Sequence, residues 1–235
     1  MTSPQELGDG PTWVVADSHL GDTPYEVDAL ISLMESAPSD LANFVVLGDL
    51  FDAWIGPETV NLGPLAKLPA AFGNLAEKGV KVFLVRGNRD VLLQKGDGAL
   101  FSATVVDQLF WGSGENQVLL SHGDEYCLLD KSYQRLRRFL RSRLIRNILL
   151  ALPVFFRHRL ARKMRSASRQ AIARKPLDTM ALEESAVASV LRQVGVQQAW
   201  MGHLHVEETR TIGPHGKLQI LPAWEPGCPP KELGF

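Results

Sequence analysis

The stretch Trp13-Val14-Val15-Ala16-Asp17-Ser18-His19 joins an apolar run to an acid and an imidazole two residues apart. The apolar run predicts a buried strand over residues 12–16. Residues i and i+2 of an extended chain point to the same side, so Asp17 and His19 leave the strand end together. Open α/β sheets bind ligands beyond the carboxyl ends of their strands. For this stretch alone, an N-cap aspartate followed by a surface histidine is an equally good explanation.

Predicted strands followed directly by polar residues recur along the chain. Apolar runs at 43–47 and 80–85 predict two further strands, and helical spacing at 24–37 and 62–78 predicts helices between them. This alternation predicts an α/β fold with helices packed on both faces of a sheet. Further strands are predicted at 103–106, 110–120, 198–201, 206–212 and 218–224. Polar blocks follow four of the later strands: Gly48-Asp49, Gly87-Asn88-Arg89-Asp90, His122-Gly123-Asp124 and Gly202-His203-Leu204-His205.

Length and composition predict one globular domain over residues 1–235 in a reducing compartment. A chain of 235 residues with 45% hydrophobic content buries a sizeable core. Two cysteines, Cys127 and Cys228, are too few for a disulfide framework and lack metal-site spacing. The first residues have no apolar region typical of a signal peptide, and no apolar run approaches the ~20 residues of a membrane span.

Charge is distributed very unevenly. Residues 131–175 contain 15 Lys and Arg and no Asp or Glu, whereas the remainder has a net charge of −16. Residues 130–195 are predicted to be helical throughout, which indicates a helical insertion in the domain. Its first helix carries the apolar residues Leu136, Leu140, Leu144 and Ile148 with Tyr133 on one stripe, and Pro153 is expected to end it. Two more helices are predicted, at 154–173 and 177–194.

Acidic, amide and imidazole side chains gather at the predicted strand ends. Oxygen and imidazole ligands suit Mn²⁺, Fe²⁺, Mg²⁺ or Zn²⁺. Seven ligands are too many for one tetrahedral site and favour a two-metal site, in which a carboxylate normally bridges ions ~3.5–4 Å apart. Asp49 is the candidate bridge, whereas His158 and His215 lack such company and are predicted to be structural. The candidate ligands are Asp17, His19, Asp49, Asn88, His122, His203 and His205.

In their order, these five blocks resemble the calcineurin-like metallophosphoesterase superfamily. The resemblance implies a four-layer α/β/β/α sandwich with a dinuclear metal centre, and attack on phosphorus by a metal-bridging hydroxide. It also implies how the ligands divide. One metal would be held by Asp17, His19, Asp49 and His205, and the other by Asp49, Asn88, His122 and His203.

The flanking residues 48–56 and 87–93 are similar to the UDP-2,3-diacylglucosamine pyrophosphatase family of lipid A biosynthesis. This resemblance implies two divalent ions, with Mn²⁺ preferred, and water attack at the α-phosphorus. The products would be UMP and 2,3-diacylglucosamine 1-phosphate, called lipid X. Two positions, Ile172 and Leu204, depart from the family pattern. The implied substrate contacts are Asn88, Arg89, Asp130, Ser168, Lys175 and His203.

The basic insertion admits three interpretations: a solvated face, a nucleic-acid surface, or a lid over an anionic, acylated substrate. Apolar residues between 148 and 160 flanked by arginines favour the lid, because interfacial helices have this composition. We therefore expect an acylated sugar nucleotide as substrate and no nucleic acid as partner. The expected location is cytoplasmic, peripherally associated with the anionic inner face of the membrane. A related phosphoesterase with another nucleotide or phosphodiester substrate, and a catalytically weak binding module, remain alternatives.

Overall fold

The computed structural model describes residues 5–172, 181–214 and 216–234. Six α-helices are described in these ranges: α1 Pro24–Glu35, α2 Leu68–Glu77, α3 Lys131–Arg141, α4 Arg143–Ala151, α5 Val154–Ile172 and α6 Glu184–Val194. The described strands are β1 Gln5–Leu7, β2 Thr12–Val15, β3 Asn43–Leu47, β4 Lys81–Val85, β5 Ala103–Val106, β6 Gln108–Trp111, β7 Val118–Ser121, β8 Gln198–Met201, β9 Glu208–Ile212, β10 Gly216–Ile220 and β11 Lys231–Leu233.

The strands form two sheets. The five-stranded sheet has the order β11-β2-β3-β4-β5, and β2 to β5 run parallel. The six-stranded sheet has the order β1-β6-β7-β8-β10-β9, with β7, β8 and β10 parallel at its centre. Parallel strands need crossover connections, which places helices on the faces of the sheets.

Alternating side chains of the buried strands create two separate cores. Phe44 and Val46 of β3 pack with Val27 of α1 and Phe72 of α2, outside the five-stranded sheet. Val45, on the opposite face of β3, belongs to the core shared with the six-stranded sheet. A third core lies between that sheet and α6. The layers are therefore helix, sheet, sheet and helix, and the predicted four-layer α/β/β/α sandwich is confirmed.

Helices α3, α4 and α5, here called the helical segment, depart in part from prediction. A single helix up to Pro153 was expected, but the chain is extended at Ser142 and a new helix begins there. The Ser142 side chain accepts a hydrogen bond from the Ile145 backbone at 3.3 Å, which caps the first turn of α4. The break at Pro153 is confirmed. Of the predicted apolar stripe, Leu136, Leu144 and Ile148 are exposed.

None of the helices in the described ranges is both long enough and apolar enough to span a bilayer. The longest, α5, has 19 residues and is rich in arginine.

Candidate metal centre

Every predicted metal ligand lies just beyond the carboxyl end of a strand. Asp17, Asp49 and Asn88 follow the adjacent parallel strands β2, β3 and β4. His122 and His203 follow β7 and β8, which are parallel neighbours, and their ring centroids are 5.0 Å apart. The two sheets thus present their ligand-bearing edges to the same place.

One group of donors surrounds a single oxygen of Asp17. Its Oδ1 lies 3.4 Å from His205 Nε2, 3.9 Å from His19 Nε2 and 3.8 Å from His122 Nδ1. These separations exceed hydrogen-bond length, but they suit ligands that each lie about 2.0–2.2 Å from a shared ion. Asp17, His19 and His205 form one compact group of potential ligands.

Asp49 faces two different imidazoles with its two oxygens. Its Oδ2 is 3.4 Å from His19 Nε2, and its Oδ1 is 3.7 Å from His122 Nε2. The same His122 nitrogen lies 3.0 Å from Asn88 Oδ1. Asp49 forms a second compact group with Asp17 and His122. This arrangement is what a bridging carboxylate requires, and the bridging role of Asp49 stays a prediction.

Among the predicted ligands, two buried side-chain atoms have no hydrogen-bond partner in the described part of the chain: Asp17 Oδ1 and His19 Nε2. Leaving such groups unpaired in a protein interior costs free energy, so native proteins nearly always satisfy them. Both atoms point into the space between the predicted ligands. The residues present therefore fit divalent metal ions.

The buried carboxylates at this centre favour positive charge beside them. Burial would raise the pKa of the Asp49 carboxyl, but the nearby imidazoles of His122 and His19 and the hydrogen bond from the Arg89 backbone lower it to about 2. Burial would lower the pKa of the His122 imidazole, but nearby carboxylates, Asp49 foremost, raise it to about 9. Burial and His122 lower the pKa of His203, which keeps that imidazole in the neutral form that binds metals.

The ligand loops have an uncommon backbone conformation. Left-handed backbone costs roughly 1–2 kcal/mol for a residue with a Cβ and concentrates at functional sites. Of the six described non-glycine residues with positive φ, five are predicted ligands. These five are Asp17, His19, Asp49, His203 and His205, with φ between 49° and 68°.

Glycines beside the predicted ligands leave room for them. A Cβ at Gly48, where φ is +87°, would lie 2.3 Å from His122 Nδ1. A Cβ at Gly202 would lie 2.3 Å from Asp17 Oδ2, which accepts a hydrogen bond from the His203 backbone at 2.8 Å. Any side chain at these two positions would displace a ligand.

The predicted substrate residue Arg89 is at the edge of the centre. Its backbone N–H donates to Asp49 Oδ1 at 2.8 Å, and its Nη1 donates to Asp52 Oδ1 at 2.7 Å. The side chain keeps about a third of its surface accessible. Asp52 also pairs with Arg165, so α5 approaches the centre at this point. Asp52 and Arg165 were not among the predicted site residues.

The other predicted substrate residues have different surroundings. Asp130 is buried and caps α3, because its Oδ1 accepts from the Tyr133 backbone at 3.0 Å and from Ser132 Oγ at 2.7 Å. Ser168 is exposed on α5, one turn beyond Arg165. Lys175 lies outside the described residues.

Two buried acids that the prediction did not use lie next to the ligands. Asp90 Oδ2 accepts from the Leu50 backbone at 3.0 Å and holds the chain directly after Asp49. Asp124, two residues beyond His122, accepts from Tyr133 Oη at 2.5 Å and Arg137 Nε at 2.6 Å. Tyr133, Arg137 and Arg141 are spaced four residues apart in α3. This spacing was the sequence signal that could have indicated their common contact with Asp124.

Fold and site together define a metal-dependent phosphoesterase. The chain matches the calcineurin-like phosphoesterase family over residues 10–207 and belongs to that family. The protein is therefore a metal-dependent hydrolase.

Three of the proteins that are similar to this chain carry the same name. The chain is 31% identical to a protein of Bordetella pertussis named UDP-2,3-diacylglucosamine hydrolase, over 92% of this chain and 86% of that protein. A protein of the same name from Pseudomonas syringae pv. syringae is 35% identical, over 82% of this chain and 78% of its own. Another, from Neisseria meningitidis serogroup B, is 34% identical over 84% of this chain and 83% of its own.

Proposed function

We propose that this protein hydrolyses the pyrophosphate bond of UDP-2,3-diacylglucosamine to UMP and 2,3-diacylglucosamine 1-phosphate, in lipid A biosynthesis. The observation that carries the proposal is the similarity to hydrolases of that name over most of the chain. The convergence of all seven predicted ligand residues supports the same chemistry.

The ligand division that the family resemblance implies is part of this proposal. Asp17, His19 and His205 would hold one ion, Asn88, His122 and His203 would hold the other, and Asp49 would serve both. Divalent ions at such a site supply water of lowered pKa and neutralise charge on phosphoryl oxygens. The Mn²⁺ preference belongs to this proposal.

Arg89 is the proposed phosphate ligand among the protein side chains. A guanidinium binds phosphate oxygens through two parallel hydrogen bonds. Asp52 holds the Arg89 side chain next to Asp49 and leaves part of it open to a ligand. Substrate phosphate at this position would lie between Arg89 and the metal ligands.

The reaction breaks one bond and forms one. The water oxygen bonds to the phosphorus that carries uridine, and the bond from that phosphorus to the bridging oxygen breaks. The bridging oxygen leaves with the sugar phosphate, which is lipid X. The two protons of the attacking water pass to the phosphate oxygens of the two products or to solvent, and UMP and lipid X each leave as a phosphate monoester.

The helical segment is the proposed substrate cap. Contact between its exposed apolar side chains and water costs free energy. Acyl chains are a ligand that would cover such a surface. Basic residues between them suit an anionic bilayer surface, so we extend the proposal to peripheral contact with the inner leaflet. The exposed apolar residues are Leu136, Phe139, Leu144, Ile148, Phe155, Phe156 and Leu160.

The test of the reaction is a product analysis in H₂¹⁸O with Mn²⁺-loaded protein. We expect UMP and lipid X by mass spectrometry, with the ¹⁸O in UMP. Turnover of bis-nitrophenyl phosphate without turnover of the lipid would indicate a different phosphodiester substrate. Absence of both activities in metal-loaded protein would indicate a binding module.

Membrane contact has a separate test. We expect the protein to float with vesicles that contain phosphatidylglycerol and to remain unbound with phosphatidylcholine alone. Serine at Phe155 and Phe156 should weaken flotation. Equal recovery with both vesicle types would contradict contact through an anionic surface.

A further inference from the structure

Helix α3 presents a polar stripe to the metal centre. Tyr133, Arg137 and Arg141 follow one another at intervals of four residues, which places them on one face of the helix. All three approach the fully buried Asp124. Tyr133 Oη and Arg137 Nε donate to its Oδ2 at 2.5 and 2.6 Å, and Arg141 Nη2 lies 3.8 Å from its Oδ1. We call these four residues the Asp124 cluster.

The Asp124 cluster contacts the loops of Asn88 and His122, two residues proposed to hold the second ion. Asp124 itself is two residues beyond His122. Arg141 Nη2 donates to the backbone carbonyls of Arg86 and Gly87, at 3.3 and 3.5 Å, directly before Asn88. One guanidinium therefore lies between the loop of Asn88 and the loop of His122.

The Asp124 cluster also lies beside His203, the third residue proposed to hold the second ion. The Tyr133 ring stacks near the His203 ring, with centroids 6.3 Å apart and an interplanar angle of 26°. The hydroxyl that fixes this ring is the one held by Asp124. The position of α3 is thereby connected to the orientation of His203.

The electrostatics hold Arg141 firmly in place. Its Nη1 lies 3.1 Å from Asp107 Oδ1, and the other oxygen of Asp107 lies 2.6 Å from Arg86 Nη2. Burial would raise the pKa of Asp124, but His122, Arg141 and Arg137 hold it below its usual range. Breaking a buried ion pair on one side leaves an uncompensated charge, so removal of Arg141 should displace its neighbours.

We propose that Arg141 is a positioning residue for Asn88 and His122, and that docking of α3 through the Asp124 cluster creates the high-affinity form of the second metal site. The inference rests on the proposed two-metal assignment. It makes the helical segment part of the metal centre, in addition to its proposed role as a cap. Residues that orient metal ligands without binding the ion themselves typically contribute 10–100-fold to metal affinity.

The test compares Arg141→Met with Arg138→Met, a control on the same helix whose side chain is exposed. Metal-free protein is titrated with Mn²⁺, and bound ions are measured by equilibrium dialysis and by the spin-coupled EPR signal of an ion pair. Wild type and the control should bind two ions per chain. Arg141→Met should bind the first ion normally and the second about 10–100-fold more weakly, with loss of the coupled signal.

A second variant distinguishes weaker metal binding from loss of the folded structure. Tyr133→Phe keeps the ring and removes only the hydroxyl donor to Asp124, and it should weaken the second ion severalfold at an unchanged melting temperature. Unchanged affinity for both ions in Arg141→Met, or a single Mn²⁺ site in wild type, would overturn the proposal. No substrate is used, so the result does not depend on which phosphoester the protein cleaves.

Discussion

Arg157 of α5 and Glu58 are joined by two parallel contacts, Nη1 to Oε2 at 2.9 Å and Nη2 to Oε1 at 2.8 Å. The Arg157 side chain is only 5% exposed, and its other donors reach the carbonyls of Ile55 and Leu152. Gly56 makes this approach possible, because a Cβ there would lie 2.2 Å from Arg157 Nη1. This arginine therefore fastens the helical segment to the sandwich and is not part of its exposed basic surface.

The ion pair should make stability depend on pH. Arg157 hydrogen bonds lower the pKa of Glu58 from its ordinary 4.5, so the folded state favours the ionised carboxylate. The stabilisation is then complete above pH 4.5 and is lost as the pH falls through the lowered value. Glu58→Gln should reduce the melting temperature at pH 7, and the two proteins should converge in acid.

A matched control is Glu77→Gln, which changes an exposed glutamate on α2. Its melting temperature should follow that of wild type at every pH. A constant difference between Glu58→Gln and wild type from pH 7 down to strongly acidic buffer would show that ionisation of Glu58 is not the cause.

Asp49→Ala should abolish metal-dependent phosphodiesterase activity while the protein stays folded. Asp49 faces His19 with one oxygen and His122 with the other, so under the proposed bridging role its loss should affect both ions. His19→Ala should be less damaging, because it removes a ligand of one ion. Turnover and bound Mn²⁺ per chain measure the difference. Similar residual activity in both variants would remove Asp49 from the bridging role.

Arg89→Lys should be poorly active with its metals still bound. Lysine offers one point charge where arginine offers a planar pair of donors, and it cannot reproduce a two-point phosphate contact. The comparison needs steady-state kinetics together with metal analysis of the same sample. Wild-type turnover in Arg89→Lys would assign Arg89 a structural role only, through its contact with Asp52.

Replacing Leu152 and Phe156 with Asn should selectively impair cleavage of the acylated sugar nucleotide. Each methylene withdrawn from water contributes about 0.8 kcal/mol, so loss of an apolar surface weakens a lipid substrate far more than a small one. Bis-nitrophenyl phosphate should be cleaved almost normally. Tyr25→Asn, an exposed site on α1, is the control. Equal losses on both substrates would indicate that these side chains only support the fold.

Only one of the two thiols should react in the native protein. Cys228 is exposed, whereas Cys127 is buried. Burial raises the pKa of the Cys127 thiol to about 12, with Asp124 and other carboxylates adding to the effect. A chromogenic disulfide reagent should therefore titrate one thiol per chain at pH 8 and two in denaturant. Cys228→Ser should remove the native reaction, and two fast thiols would contradict the burial of Cys127.

The sequence was most informative for candidate site residues that directly follow a buried strand. Buried parallel strands are continuous apolar runs, so their ends are easy to locate, and the ligands follow those ends directly. Asp17, Asp49 and His122 were found in this way. The pairing of strands from two sheets could not be predicted from the runs themselves, because it depends on contacts between residues far apart in the chain.

The helical segment was harder to predict. An apolar stripe usually marks the buried face of a helix. In α3 and α4, however, Leu136 and Leu144 are exposed, and the packed face of α3 carries Tyr133, Arg137 and Arg141. Arginine on a packed face is recognisable only when its carboxylate partner is known, and here that partner is supplied by another loop.

Two edge strands escaped prediction for a related reason. β1 and β11 contain three residues each, two polar residues followed by one leucine, which is too short to show an alternating pattern. They are strands because their neighbours offer hydrogen bonds: β1 pairs with β6, and β11 with β2. Tertiary pairing, not local preference, decides such short elements.

The hydrogen bond from the His203 backbone to Asp17 spans 186 residues of sequence. Contacts of such separation require the loss of chain entropy before they contribute any stability, so they form late. Tight metal uptake should accordingly appear in the final kinetic phase of refolding, after both sheets have met. During synthesis, a nascent chain lacks the imidazoles of His203 and His205 until residue 205 has left the ribosome. The metal centre is thus a reporter of completed folding.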